Sequence, residues 1–222
     1  MKKLLFVLMA AFTIGGNAQN IIQWEGFAGL NVSNIGGLGS KPGFHIGAKA
    51  ELGIPSIANG VYVNAGAVFS MKGCKQDYGD LGGAKTKANF LDIPIHMGYR
   101  YNINNDFSIF GEVGPYFSFG LFGKTKTEEL DSDGFGDWSM TEYSYNTFGK
   151  DGLKRFDVGA GLRFGVELKH KYSLAIGYDW GFIDLYNQME IDESGEYEDG
   201  TSLDLTPKMK TKNLTISIGY KF

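Results

Sequence analysis

Apolar and polar side chains alternate with a period of two along most of this chain, and the final stretch shows it best. Leu214, Ile216, Ile218, Tyr220 and Phe222 share one face, while Asn213, Thr215, Ser217, Gly219 and Lys221 share the other. The same rhythm predicts strands from Leu91 to Arg100, Phe107 to Gly120, Phe156 to Leu168 and Tyr172 to Phe182. Three weaker segments precede them, Trp24 to Val32, Phe44 to Leu52 and Val61 to Met71, which makes eight strands in all. Pro94 and Pro115 interrupt two of the strands. A proline removes a ladder donor, so each is expected at a bulge or at an end of pairing.

One-sided strands fit either a soluble barrel or sandwich, or a barrel inverted in lipid, and the polar face decides between them. That face is crowded with glycine, at Gly47, Gly66, Gly98, Gly114, Gly120, Gly159, Gly161, Gly165, Gly177, Gly181 and Gly219. Glycine weakens a strand and gains nothing on a wet surface, but it makes room inside a narrow eight-stranded barrel. Every strand charge in this register (Glu25, Lys49, Glu51, Asp92, Arg100, Glu112, Asp157, Arg163, Glu167, Asp179) lies on the glycine-bearing face. An Arg or Lys facing lipid at mid-depth costs about 2 to 4 kcal/mol, so this segregation is what a lipid-facing wall requires.

The connections alternate in length. Ser33 to Lys41, Gly73 to Lys87, Leu121 to Lys154 and Ile183 to Thr211 are long, whereas Ile54 to Gly60, Asn102 to Asp106 and Lys169 to Lys171 are short. Short inner turns and long outer loops are the habit of outer-membrane barrels, and ring closure removes the sheet edges that lipid would leave unpaired. The expected fold is therefore all-β, an eight-stranded antiparallel up-and-down transmembrane β-barrel.

The first residues supply an address. Lys2 and Lys3 precede an apolar run from Leu4 to Ile14, and Gly15, Gly16, Ala18 and Gln19 follow. This is the order of a secretory signal, with cleavage expected after Ala18, so residues 1–18 are read as signal and 19–222 as the barrel. The apolar run is too short to span a bilayer. Losing Lys2 and Lys3 moves the formal charge from -4 to -6, which argues against nucleic acid as a partner. The single cysteine, Cys74, excludes a disulfide scaffold and falls in the second long loop as a free thiol.

Several phrases resemble a known family. The signal ending Ala18-Gln19, the opening Gly29-Leu30-Asn31-Val32-Ser33-Asn34, Leu91-Asp92-Ile93-Pro94-Ile95 with Gly98-Tyr99, Gly114-Pro115-Tyr116 and the closing Gly219-Tyr220-Lys221-Phe222 are similar to the Bacteroidetes-type outer-membrane β-barrel family, often labelled porin-family or PorT-like. The resemblance covers nearly the whole chain after the signal, and it marks the fold better than a function. It implies a C-terminal signal for the barrel-assembly machinery at Leu214, Ile216, Ile218, Tyr220 and Phe222. It also admits a part in a secretion apparatus.

Candidate chemistry is sparse. Among the lumen-facing polar residues, Asp92, His96, Arg100, Glu112, Asp157, Arg163, Glu167 and Asp179 are expected to form a network, with Arg100 and Arg163 pairing to Asp92, Glu112, Glu167 or Asp179. A proton or small-cation path using His96 is the alternative. No catalytic residue is assigned: the only histidines are His45, His96 and His170, and none has a serine at a spacing that suggests a nucleophile. No cofactor is expected. Asp131, Asp133, Asp137 and Glu142 half-match a calcium loop, with Gly136 at the turn position, although a solvated acidic surface explains them as well. Asp192, Glu193, Glu196, Glu198 and Asp199 form a second acidic run.

Aromatics at strand ends, Tyr99, Tyr101, Phe107, Tyr172 and Phe222 on the inner side and Phe119, Phe122, Trp180 and Phe182 on the outer, are expected to form interfacial girdles. The partners expected are outer-membrane lipid and lipopolysaccharide, the assembly machinery, and an external protein reached by loops 121–154 and 183–211. The expected role is a non-enzymatic barrel with a filled lumen. A small-solute pore, a secretion component and a lipid-modifying enzyme are the alternatives.

Overall fold

The structure is a computed structural model and describes residues 22–55, 57–77, 79, 82–132, 138–149, 152–186 and 208–222. Residues 1–18, expected to be a signal, lie outside the described residues, as does the acidic run from Asp192 to Asp199.

Strands β1 (Ile22–Ile35), β2 (Gly39–Gly53), β3 (Val61–Asp77), β4 (Gly82–Asn102), β5 (Phe107–Ser132), β7 (Phe156–Leu168), β8 (Tyr172–Gly181) and β9 (Thr211–Lys221) form an antiparallel ring, with β6 (Trp138–Asn146) outside it. The seam is the pairing of β1 with β9, from Glu25 opposite Lys221 to Ile35 opposite Thr211. The lower half of β5 pairs with β7 and its upper half with β6, so β6 is a hairpin arm standing on the ring. The expected eight-stranded up-and-down barrel is the observed fold.

The strands outrun the segments read from the sequence. β3 and β4 stay paired out to Asp77 opposite Gly83, and β5 and β6 pair from Lys124 opposite Asn146 to Ser132 opposite Trp138. The stretches 73–87 and 121–154 are thus largely β-sheet rather than loop. Above the membrane both faces of a strand meet water, so the ladder continues while apolar-polar alternation stops.

The two central prolines sit in pairing gaps. Pairing of β3 with β4 skips from Val68–Asp92 to Ala65–Ile95 around Pro94, and pairing of β4 with β5 skips from Pro94–Tyr116 to Met97–Val113 around Pro115. Register is the same on both sides of each gap, so neither proline makes a bulge. The register shifts lie elsewhere, between Ser40 and His45 around Pro42, and at Asn89/Phe90 opposite Leu121. At the second shift, both Leu121 and Phe122 face outward, 43% and 60% exposed.

The turn after β7 places Lys169 and His170 both at φ 54°, which tightens the hairpin in the sense that strand twist favours. The outward row (Leu30, Ile46, Met97, Val113, Phe164, Leu174, Ile176, Ile216, Ile218) is exposed, while Glu25, Lys49, Glu51, Glu112, Asp157 and Glu167 are buried. A soluble protein would reverse that arrangement.

Candidate functional site in the barrel lumen

The lumen is filled in layers. At the end with the short turns, Arg100 meets Glu51 at 2.6 Å and Glu167 at 3.2 Å, and Lys221 meets the same two carboxylates at 3.1 and 2.6 Å. β2, β4, β7 and β9 each contribute one member, so this square of two cations and two anions ties the ring across its diameter. The Arg100 guanidinium also stacks 4.7 Å from the Tyr62 ring centroid.

Above it, Lys49 bridges Glu112 at 2.9 Å and Glu25 at 3.4 Å. Tyr62 donates its hydroxyl proton to Glu112 at 3.0 Å, and Ser173 donates to Glu25 at 2.6 Å. His96 is fully enclosed, with Nδ1 3.9 Å from Glu112, beyond hydrogen-bonding distance. Arg163 lies 4.0 Å from Asp179, which also accepts from Asn213 at 3.3 Å.

In the upper tier, Lys72 pairs with Asp92 at 2.9 Å, and Ser118 also bonds to Asp92. Asp157 accepts from Thr211 at 2.5 Å and from Tyr116 at 3.4 Å. Of the expected pairs, Arg100–Glu167 forms at 3.2 Å, and Arg163 stands beside Asp179 without a hydrogen bond. Asp92 and Glu112 instead take Lys72 and Lys49. Lys72 stands one residue beyond the segment read as β3, and Lys221 shares the inward parity of Ser217 and Gly219. Both were within reach of the alternation rule.

An apolar layer closes the outer end, and its position was not anticipated from the sequence. Ile35, Cys74, Ala88, Phe90, Phe148, Leu153 and Leu185 form a buried cluster, with Leu38, Ile183 and Met209 packed against it. Phe148 meets Phe90 edge-on at 5.4 Å, and the Arg155 guanidinium covers the Phe148 ring at 5.2 Å. Backbone hydrogen bonds pin the incoming segments: Leu153 to Thr147 at 2.7 Å, Lys154 to Leu185 at 2.8 Å and Leu185 to Met209 at 3.0 Å. Cys74 is therefore a wall residue of β3 inside the plug rather than a loop residue. Isolated apolar residues in two polar connections were the only signal for this layer, and period-two counting does not register it.

The remaining lumen space is small. Two cavities of about 20 Å³ each lie near Asp92, His45 and Ser217, and near Glu25, Lys49 and Glu112. Each is about large enough for one water. A hollow of about 800 Å³ lies on the lipid-facing wall between Tyr99, Ile109, Phe164 and Ile176 and belongs to no polar site.

The structure does bring together a serine and a histidine that linear spacing hid, with His45 Nε2 2.8 Å from Ser217 Oγ. Among the described residues no side chain bonds the other ring nitrogen to orient a base, and the adjoining void admits no substrate. The pair joins β2 to β9.

Of the calcium half-match, the described residues place Asp131 and Glu142 on the two strands of the arm. Asp131 lies in β5 opposite Ser139, while Glu142, three rungs along β6, pairs with Lys126. Asp133 and Asp137 lie outside the described residues.

The strand-end aromatics sit on the outer wall, Tyr99, Tyr101 and Tyr172 near the short turns and Phe119, Trp180 and Phe182 toward the opposite strand ends, all more than 40% exposed.

The comparisons fit this architecture. Residues 8–187 match the family described as Outer membrane protein beta-barrel domain. The chain belongs to that family, and the protein is an outer-membrane barrel. Among solved structures it is similar to Neisserial surface protein A, with 13% identity, covering 90% of this chain and 97% of that one, at a TM-score of 0.45. It is also similar to a major outer membrane protein from Thermus thermophilus, with 16% identity, covering 90% and 99%, at a TM-score of 0.43. OprG from Pseudomonas aeruginosa is similar at 14% identity, covering 91% and 96%, with a TM-score of 0.40. A search of curated proteins found no match.

Proposed function

We propose that the protein is a closed, non-enzymatic barrel that anchors an extracellular platform, the sheet formed by the upper parts of β3, β4 and β5 with β6. The carrying observation is the filled lumen: among the described residues three tiers of ion pairs lie under an apolar plug, and the two voids between them measure about 20 Å³ each. A conducting pore needs a continuous water path, and acyl-transfer or hydrolytic chemistry needs a cleft beside an activated group. The long arm then carries the specificity, since function in barrels concentrates in the segments beyond the wall.

The test is planar-bilayer recording of the purified protein together with removal of the 124–146 arm. Electrical silence and loss of a surface-binding phenotype on arm removal are expected. Steady conductance would make it a pore, and altered lipid A in a deletion strain would make it an enzyme.

A further inference from the structure

The outward face of the extracellular sheet carries a row of lysines in direct cross-strand register. Lys75 lies opposite Lys85, Lys85 opposite Lys126, and Lys87 opposite Lys124, so three adjacent strands stack like charges side by side. All five lysines are exposed. Like charges directly opposite one another destabilise a sheet, so folding gives no reason for this arrangement. Two carboxylates answer them: Glu128 lies 3.4 Å from Lys85, and Glu142 pairs with Lys126. Among the described residues Lys75, Lys87 and Lys124 have no carboxylate partner. The surplus positive charge reaches its surroundings: the Lys41 pKa is pushed down by burial and then by repulsion from Lys87 and Lys85.

Position identifies the ligand chemistry. Directly below the lysines runs an aromatic row on the same outer wall, with Phe44 and Phe69 6.0 Å apart and Phe69 and Phe122 6.4 Å apart. Phe122 precedes Lys124 and Lys126 by two and four residues, about 7 and about 13 Å along the strand. An amphiphile lying against this wall places its chains on the phenyl rings and its anionic groups among the ammonium groups. The geometry points to a binding site for the phosphates of the outer-leaflet glycolipid, held by Lys85, Lys87, Lys124 and Lys126 above Phe69 and Phe122. Phosphate neutralises the cross-strand repulsion between Lys87 and Lys124, which no carboxylate among the described residues offsets. This inference rests on the outer-membrane placement and not on the closed lumen, so the conductance experiment does not bear on it.

The test uses the purified signal-cleaved protein in zwitterionic detergent, titrated with diphosphoryl lipid A, fully dephosphorylated lipid A and inorganic pyrophosphate, with bound ligand counted by native mass spectrometry. Diphosphoryl lipid A is expected to bind, and each Lys→Gln change in the row is expected to weaken it about fivefold. Dephosphorylated lipid A and pyrophosphate are expected to bind no better to the wild type than to the quadruple Gln variant. Heat-modifiable gel mobility checks folding, and the Lys87→Gln/Lys124→Gln pair replaces the quadruple variant if that one does not fold. Equal retention of diphosphoryl lipid A by wild type and variant overturns the site. Equal binding of the dephosphorylated lipid overturns the phosphate assignment, and pyrophosphate binding as tight as lipid A overturns the lipid assignment.

Discussion

Phe148, in the connection between β6 and β7, packs edge-on against Phe90 of β4 with ring centroids 5.4 Å apart and so inserts a loop residue into the mouth of the barrel. This contact turns a polar-lined cylinder into a capped one. Cys74 reports on it, because the thiol sits in the same cluster and is buried.

Phe148→Ala is expected to uncap Cys74. A loss of about 1.4 kcal/mol of local stability raises the open population about tenfold, so maleimide labelling of Cys74 from outside should accelerate at least about tenfold. Burial pushes the Cys74 thiol pKa up, so the folded protein holds the neutral, unreactive thiol as pH rises through the ordinary thiol range. In the variant the burial is relieved, and the labelling midpoint should move to lower pH. An unchanged rate and midpoint would mean that Phe148 does not seal the mouth.

Lys49 is the only lysine or arginine within 4 Å of Glu25 or Glu112 among the described residues. Lys49→Met leaves both carboxylates buried without that partner and is expected to destabilise the barrel by about 3 to 5 kcal/mol. Adding Glu112→Gln should recover part of the loss, giving a non-additive double-mutant cycle. Urea unfolding in detergent, followed by gel mobility, measures both. Additive losses would show that the two residues are not coupled.

A Cβ built on Gly98 would lie 2.4 Å from Tyr62 Cζ and 2.7 Å from its hydroxyl, so Gly98→Ala must displace the ring that bonds Glu112. The expected cost is about 1 to 3 kcal/mol. At Gly53 a Cβ meets nothing within 4 Å, and Gly53→Ala should change stability by less than about 0.5 kcal/mol. Equal effects at the two positions would contradict the close approach as the reason for glycine on the inner face.

What alternation reveals is set by the lipid. Between the aromatic belts one face must be greasy and the other must not, so Leu174, Ile176, Ile216 and Ile218 are legible as wall and Glu112 and Asp157 as lumen. Beyond the belts that constraint ends. Thr125 and Thr127 continue β5 with no apolar partner row, and by sequence alone the arm reads as loop for that reason. Partner choice inside the lumen is hidden as well. Parity places Arg100 and Glu167 indoors, but shear between strands decides that Glu51 and Lys221 complete their square. Phe148 and Leu153 carry no periodic signal at all, because a plug is built from tertiary contacts alone.

Phe222 separates assembly from stability. The residue is 83% exposed and its ring meets Tyr220 edge-on at 5.3 Å, while its backbone amide donates to the Trp24 carbonyl at 2.9 Å and so extends the seam. Phe222→Ala keeps that backbone bond and gives up only a surface ring, so the unfolding midpoint in detergent should shift by less than about 0.5 kcal/mol in free energy. If the closing aromatic is the feature that the assembly machinery reads, the amount of folded protein in the outer membrane of cells should fall several-fold while refolding from urea proceeds at the wild-type rate. The comparison needs both measurements on the same variant. A parallel loss in detergent would make Phe222 a stabilising girdle residue, and wild-type levels in cells would remove it from the assembly signal, leaving Leu214, Ile216, Ile218 and Tyr220 to carry that role.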